Sequence, residues 1–215
     1  MRKIKKIIAV FTVFVLLMSF TPNISATEKA KVFITGFFST DASDRQHAIN
    51  GFRKLNYSTS SLSDARRSDF LNWINSGGTT YTDNNYAFYV STHGPSDEKA
   101  IAGETYFLCH VKAKVYPHDL SGNWHLVYID ACNSKRNNKF PVALNITGHS
   151  NRGYLGWATE VGVSAANSFN NYFWETYVTR YTIQQAAVKA AADVPGAGST
   201  PIRFSGDTSW YGYAN

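Results

Sequence analysis

Two stretches of the chain end in side chains able to do covalent chemistry. In Trp124–Ser134 (Trp-His-Leu-Val-Tyr-Ile-Asp-Ala-Cys-Asn-Ser) an apolar run stops abruptly at Cys132, and 39 residues earlier Tyr86-Ala-Phe-Tyr-Val-Ser-Thr runs into His93-Gly94. A thiol attacks a carbonyl as its thiolate, so a cysteine nucleophile needs a base at neutral pH, and an imidazole within hydrogen-bond reach supplies one. Gly94 has no side chain to hold a substrate away, so its backbone N–H and that of Cys132 can together stabilise an oxyanion. For these groups to meet, the two apolar runs must be adjacent parallel strands. Leu126, Val127, Tyr128 and Ile129 suit that role, since strand-forming residues without alternation belong in a sheet covered on both faces. Open α/β sheets gather their sites at the carboxyl ends of such strands. Taken singly, a cysteine at a strand end is a small buried hydrophobe and a His-Gly pair a turn. Their joint occurrence after two matching strands is what points to chemistry.

Asp130-Ala131-Cys132-Asn133-Ser134, with the apolar strand before it and a second strand ending in His93-Gly94, resembles the caspase-like (clan CD) cysteine peptidases. That group includes caspases, metacaspases, legumains, gingipains and clostripain-type enzymes. The acidic-Ala-Cys-x-Ser order is similar to legumains and less closely to metacaspases. Several relatives continue with glycine where this chain has Lys135. The resemblance implies a His93–Cys132 dyad, with His93 as general base, Cys132 as nucleophile, and Gly94 and Cys132 as oxyanion donors. It also implies that Asp130 lines a pocket favouring a basic P1 residue, with Arg, Lys and Asn substrates all open. Asp207 and Trp210, in the tail, are further candidates for closing that pocket. The partner so implied is a peptide or protein substrate, and no cofactor is called for. The alternatives are a catalytically inactive caspase-like secreted binding or regulatory module, and an aromatic-rich surface or glycan-binding protein in which Cys132 and His93 are structural.

Other chemistries fail on spacing. Gly148-His149-Ser150-Asn151-Arg152 begins like a serine nucleophile elbow but has Arg152 where the second glycine must stand. Neither a His-Glu-x-x-His motif nor a phosphate loop nor a dinucleotide glycine fingerprint is present. Cys109, His110, His118 and His125 match no zinc spacing, so no metal is assigned. The only other thiol is Cys109; a bridge to it would block the nucleophile, so the enzymatic reading expects Cys132 to stay free.

Residues 1–26 have the layout of a secretory signal peptide: basic Arg2, Lys3, Lys5 and Lys6, a 14-residue apolar run from Ile7 to Phe20, and a small residue at Ala26. A membrane span needs about 20 apolar residues, so no stable span is expected once the signal is removed, and the protein is expected to be secreted. Four of the 21 Lys and Arg and none of the 15 Asp and Glu lie in that segment, leaving 17 against 15, a net charge of +2. Such a balance gives no case for a nucleic-acid partner. Lys135, Arg136 and Lys139 read as a solvated loop, and Lys29-Ala30-Lys31 and Arg66-Arg67 as candidate processing sites.

Residues 27–215 form one expected domain. Strand-like segments at 31–38, 86–92, 104–115, 126–129, 152–158 and 202–204 alternate with helical ones at 41–55, 63–76, 164–177 and 182–193. That order predicts an α/β fold, a three-layer α/β/α sandwich with a mostly parallel central sheet, since parallel strands need crossover connections.

Overall fold

The computed structural model describes residues 28–35, 41–76, 85–194 and 202–214. The expected signal peptide, the end of the segment 31–38, Gly77-Gly78 and the connector 195–201 lie outside the described residues. In chain order the elements are β1 (Lys29–Ile34), α1 (Asp41–Lys54), β2 (Ser58–Leu62), α2 (Arg67–Ser76), β3 (Asn85–Ser91), α3 (Asp97–Ile101), β4 (Phe107–Cys109), β5 (Ala113–Val115), β6 (Leu126–Asp130), α4 (Lys139–Ala143), β7 (Gly153–Trp157), α5 (Val163–Asn171), a π-helix (Tyr172–Tyr177), α6 (Ile183–Asp193) and β8 (Ile202–Gly206).

Six strands form one sheet in the order β2-β1-β3-β6-β7-β8, parallel throughout except for antiparallel β8; β4 and β5 form a separate hairpin. The apolar runs of β3 and β6 lack alternation because both faces of the sheet are covered. On β6, Leu126 and Tyr128 enter one core with residues of α1, α5, the π-helix and α6. Val127 and Ile129 enter the other, with residues of α2, α4 and the β4–β5 hairpin. On β3, Ala87 and Tyr89 face the first core, Phe88 and Val90 the second. The three layers follow from that division.

Several boundaries differ from those read in the sequence. β2, Ser-Thr-Ser-Ser-Leu, has no apolar signature because it is an exposed edge strand held to β1 by its backbone. α2 begins at Arg67 rather than Ser63. The segment 164–177 is α5 continued by the π-helix, a widened turn that seats Trp174 against Gly51: a Cβ built at Gly51 would lie 2.1 Å from the indole. Neither candidate processing site is a free loop. Lys29–Lys31 lies in β1, and the Arg67 guanidinium donates to Asp119 Oδ1 and the Lys114 carbonyl.

Candidate active site

β3 and β6 are direct neighbours, with Ser91 paired to Asp130, so the chain leaves both carboxyl ends side by side. Thr92 keeps the two exits together by donating its backbone N–H to the Asp130 carbonyl at 3.0 Å. The cleft that opens there, about 430 Å³ of empty volume, is lined by His93, Thr92 and Ser91 from one strand end and Asp130, Ala131 and Cys132 from the other; α1 adds Asp44, and Val161, Val163 and Asn167 complete the wall. His93 and Cys132 therefore share one cleft, as the spacing of the two motifs predicts.

Gly94 fits this site by what it lacks. A Cβ at that position would stand 1.8 Å from the Cys132 carbonyl oxygen and 3.2 Å from the Cys132 nitrogen, so only glycine lets the two segments approach this closely. Among the described residues, neither Gly94 nor Cys132 donates its backbone N–H to another residue's carbonyl. Both N–H groups thus lie beside the nucleophile, that of Cys132 facing its own sulfur, in the position from which an oxyanion would be stabilised.

Each residue around Cys132 has a structural task. Asn133 adopts the left-handed conformation (φ 59°), turning the chain sharply; its N–H donates to the Thr159 carbonyl and its side-chain amide to the Pro95 carbonyl at 3.0 Å. Ser134 Oγ donates to the Ile129 carbonyl at 2.7 Å and accepts the Trp157 N–H at 3.0 Å. Lys135 N–H donates to the Trp157 carbonyl at 2.8 Å. The turn carrying the nucleophile is thereby fastened to β7.

The electrostatics favour uncharged partners at rest. Burial pushes the Cys132 thiol above its ordinary pKa; the Val161 N–H, 3.4 Å from the sulfur, works against that, while Glu160 and Asp130 add to it. Burial of part of the His93 ring lowers its pKa. Cys109 is a different thiol, fully enclosed in the second core, and burial pushes its pKa up to about 12. Both cysteines are free.

Asp130 lines the cleft from the floor rather than the rim. It is 5 % exposed, and its carboxylate accepts from Tyr89 Oη at 2.8 Å, Trp157 Nε1 at 2.6 Å and Asn170 Nδ2 at 2.7 Å. Burial raises its pKa, and the three donors oppose that rise. A second carboxylate, Asp44, went unnoticed in the sequence. It is 2 % exposed and faces the same cleft, with the Asn167 amide, oriented to donate, 2.7 Å from its Oδ2. A signal did exist: Asp44, Ala48 and Phe52 recur at i, i+4 and i+8 on the stripe by which α1 meets the core, so an acid stands where the periodicity calls for an apolar residue.

Two expectations need correction. Trp210 and Asp207 do not approach the cleft. Trp210 packs against His125 and Gly153, and Asp207 accepts from the Asn151 N–H; both lie at the amino ends of β6 and β7, the edge opposite Cys132. Lys135–Lys139 is not a uniformly solvated loop either, since Lys135 is 5 % exposed and Arg136 donates to Asn133 Oδ1 at 3.2 Å. Among the described residues no group of three or more His, Cys, Asp or Glu side chains is placed to hold a metal ion, and no helix is long and apolar enough to cross a membrane.

No protein-family model matches the sequence, and no curated protein matches it. The structure is similar to that of caspase-1 from Spodoptera frugiperda, with a TM-score of 0.55, 10 % sequence identity, and coverage of 87 % of this chain and 91 % of that one. That likeness, with the mostly parallel six-stranded sheet and its helices, gives the chain a caspase-like fold.

Proposed function

We propose that the chain is exported by a signal peptide at residues 1–26 and that residues 27–215 act as a cysteine endopeptidase cutting after basic P1 residues. The observation that supports this most is the shared cleft of His93 and Cys132 with Gly94 closed onto the Cys132 backbone. His93 takes the Cys132 proton as the sulfur bonds to the scissile carbonyl carbon. The resulting oxyanion accepts from the Gly94 and Cys132 N–H groups. The proton passes from His93 to the leaving amine as the C–N bond breaks, leaving a thioester. A water deprotonated by His93 then attacks the thioester and the thiol is restored. Asp44 and Asp130 support the basic P1, because two buried carboxylates line the cleft and, among the described residues, no Lys or Arg does.

The test is a panel of fluorogenic peptides with P1 Arg, Lys, Asn and Asp. Arg and Lys substrates should be cut, turnover should fall by about 10³-fold or more in Cys132→Ala, and Asp44→Asn should lower kcat/KM for Arg and Lys selectively. Silence across the panel, with the protein folded and Cys132 reduced, would favour the inactive module. That second reading draws on the Val161 backbone, whose N–H and C=O lie 3.4 and 3.7 Å from the Cys132 sulfur and engage it at rest.

A further inference from the structure

Peptide hydrolysis leaves Lys135 without a task. Its stem is deliberately accommodated: a Cβ built at Gly156 would come within 3.0 Å of Lys135 Cβ and 2.5 Å of Ser134 Oγ, so the missing side chain at 156 is what makes room for it. Its ammonium donates to Asn138 Oδ1, which lies 3.5 Å from Ser205 Oγ. Across the β7–β8 ladder Gly156 pairs directly with Arg203 and Tyr154 with Ser205. Directly paired residues share a face of the sheet, so Arg203 and Ser205 stand on the face that Lys135 covers. Among the described residues no carboxylate lies within 4.0 Å of Lys135 or Arg203. Burial lowers the Lys135 pKa, and repulsion from Arg203 lowers it further. Two cations are therefore gathered, one on a buried stem, with a hydroxyl and an amide and, among the described residues, no countercharge. Such an arrangement is costly alone and is relieved by an anion able to accept from several donors at once.

We propose that Lys135, Arg203, Ser205 and Asn138 form a binding site for a small doubly charged oxyanion, of which sulfate and inorganic phosphate are the simplest, on the sheet face behind the turn that carries Cys132. The site is independent of the peptidase reading. Because the Lys135 N–H is bonded to the Trp157 carbonyl, an occupant also tightens the hold of β7 on that turn.

The test is titration of residues 27–215 with sodium sulfate or phosphate at constant ionic strength, followed by thermal unfolding and isothermal calorimetry. Both anions stabilise proteins in general by exclusion from their surface, so saturation and the variants carry the result. The intact protein should show a saturable gain in Tm and a one-site heat. Lys135→Met, which keeps the apolar stem, and Arg203→Gln should each weaken the Kd tenfold or more, while Arg180→Gln, at an exposed position beyond the π-helix, should leave it unchanged. Should Lys135→Met fail to fold, exposed Arg203 still carries the test. An unsaturable rise in Tm, the same in every variant and without binding heat, would overturn the site.

Discussion

At the scale of single residues, burial makes both partners of the dyad less willing to carry charge: the thiol of Cys132 rises in pKa and the imidazole of His93 falls. The uncharged pair is therefore the resting state, and the proton moves only as a carbonyl arrives. Alkylation of Cys132 by iodoacetamide in the resting protein should follow its thiolate fraction, climbing about tenfold per pH unit between about pH 7 and 9. Cys109, with its pKa pushed up to about 12 inside the core, should stay unmodified until the protein unfolds. Peptide mapping of the two cysteines measures both. A fast, flat rate at Cys132 from pH 7 upward would mean that the thiolate is already formed. Reading this pair from sequence is possible because each residue follows a short apolar run rich in β-branched and aromatic side chains, the composition of a strand covered on both faces. Asp44 is harder to see, since a single acid near a helix start is ordinarily a solvated residue favoured by the helix dipole; only its place on the stripe with Ala48 and Phe52 marks it as buried.

Among elements, the link between α1 and the π-helix runs through Glu175. Its carboxylate accepts from His47 Nδ1 and Asn50 Nδ2, each at 3.0 Å, and from the Lys54 ammonium at 2.5 Å. Burial alone would raise the Glu175 pKa; these three partners overcome it and bring the value from 4.5 to about 2. A carboxyl whose pKa is lower in the fold than in the unfolded chain stabilises the fold above pH 4.5 and loses that contribution as the pH falls through about 2. Glu175→Gln should cost about 1 kcal/mol at pH 7, a modest figure because solvent reaches the cluster, and the gap from the parent should close towards pH 2. Urea unfolding at several pH values tests this; a gap that persists at low pH would assign the loss to packing. Elements were legible wherever burial imposes a pattern: β3, β6, β7 and α6 lie close to where the sequence puts them. β2 escaped because an edge strand of Ser and Thr buries little. The π-helix escaped because its helical periodicity matches that of α5, and only the need to seat Trp174 over Gly51 widens the turn.

On the scale of the whole molecule, the C-terminal segment straps the sheet at the edge away from the cleft. Trp210 packs against His125, its carbonyl accepts the Ile183 N–H at 3.0 Å, and Ala214 N–H reaches the Leu55 carbonyl at 3.0 Å. Trp210→Ala should destabilise the protein by about 3 kcal/mol, as removal of a buried tryptophan does, while leaving Cys132 alkylation at its original rate. Parallel unfolding and labelling experiments separate the two effects, and altered labelling in the folded variant would mean that the strap communicates with the cleft. At the same edge, Glu28 Oε2 lies 3.4 Å from His125 Nδ1, so the first and last described residues of the chain both sit on the side of the sheet facing away from Cys132. A tether, tag or domain fused directly ahead of Glu28 or directly after Ala214 would leave the molecule from its back, with the mouth of the cleft open to an incoming polypeptide.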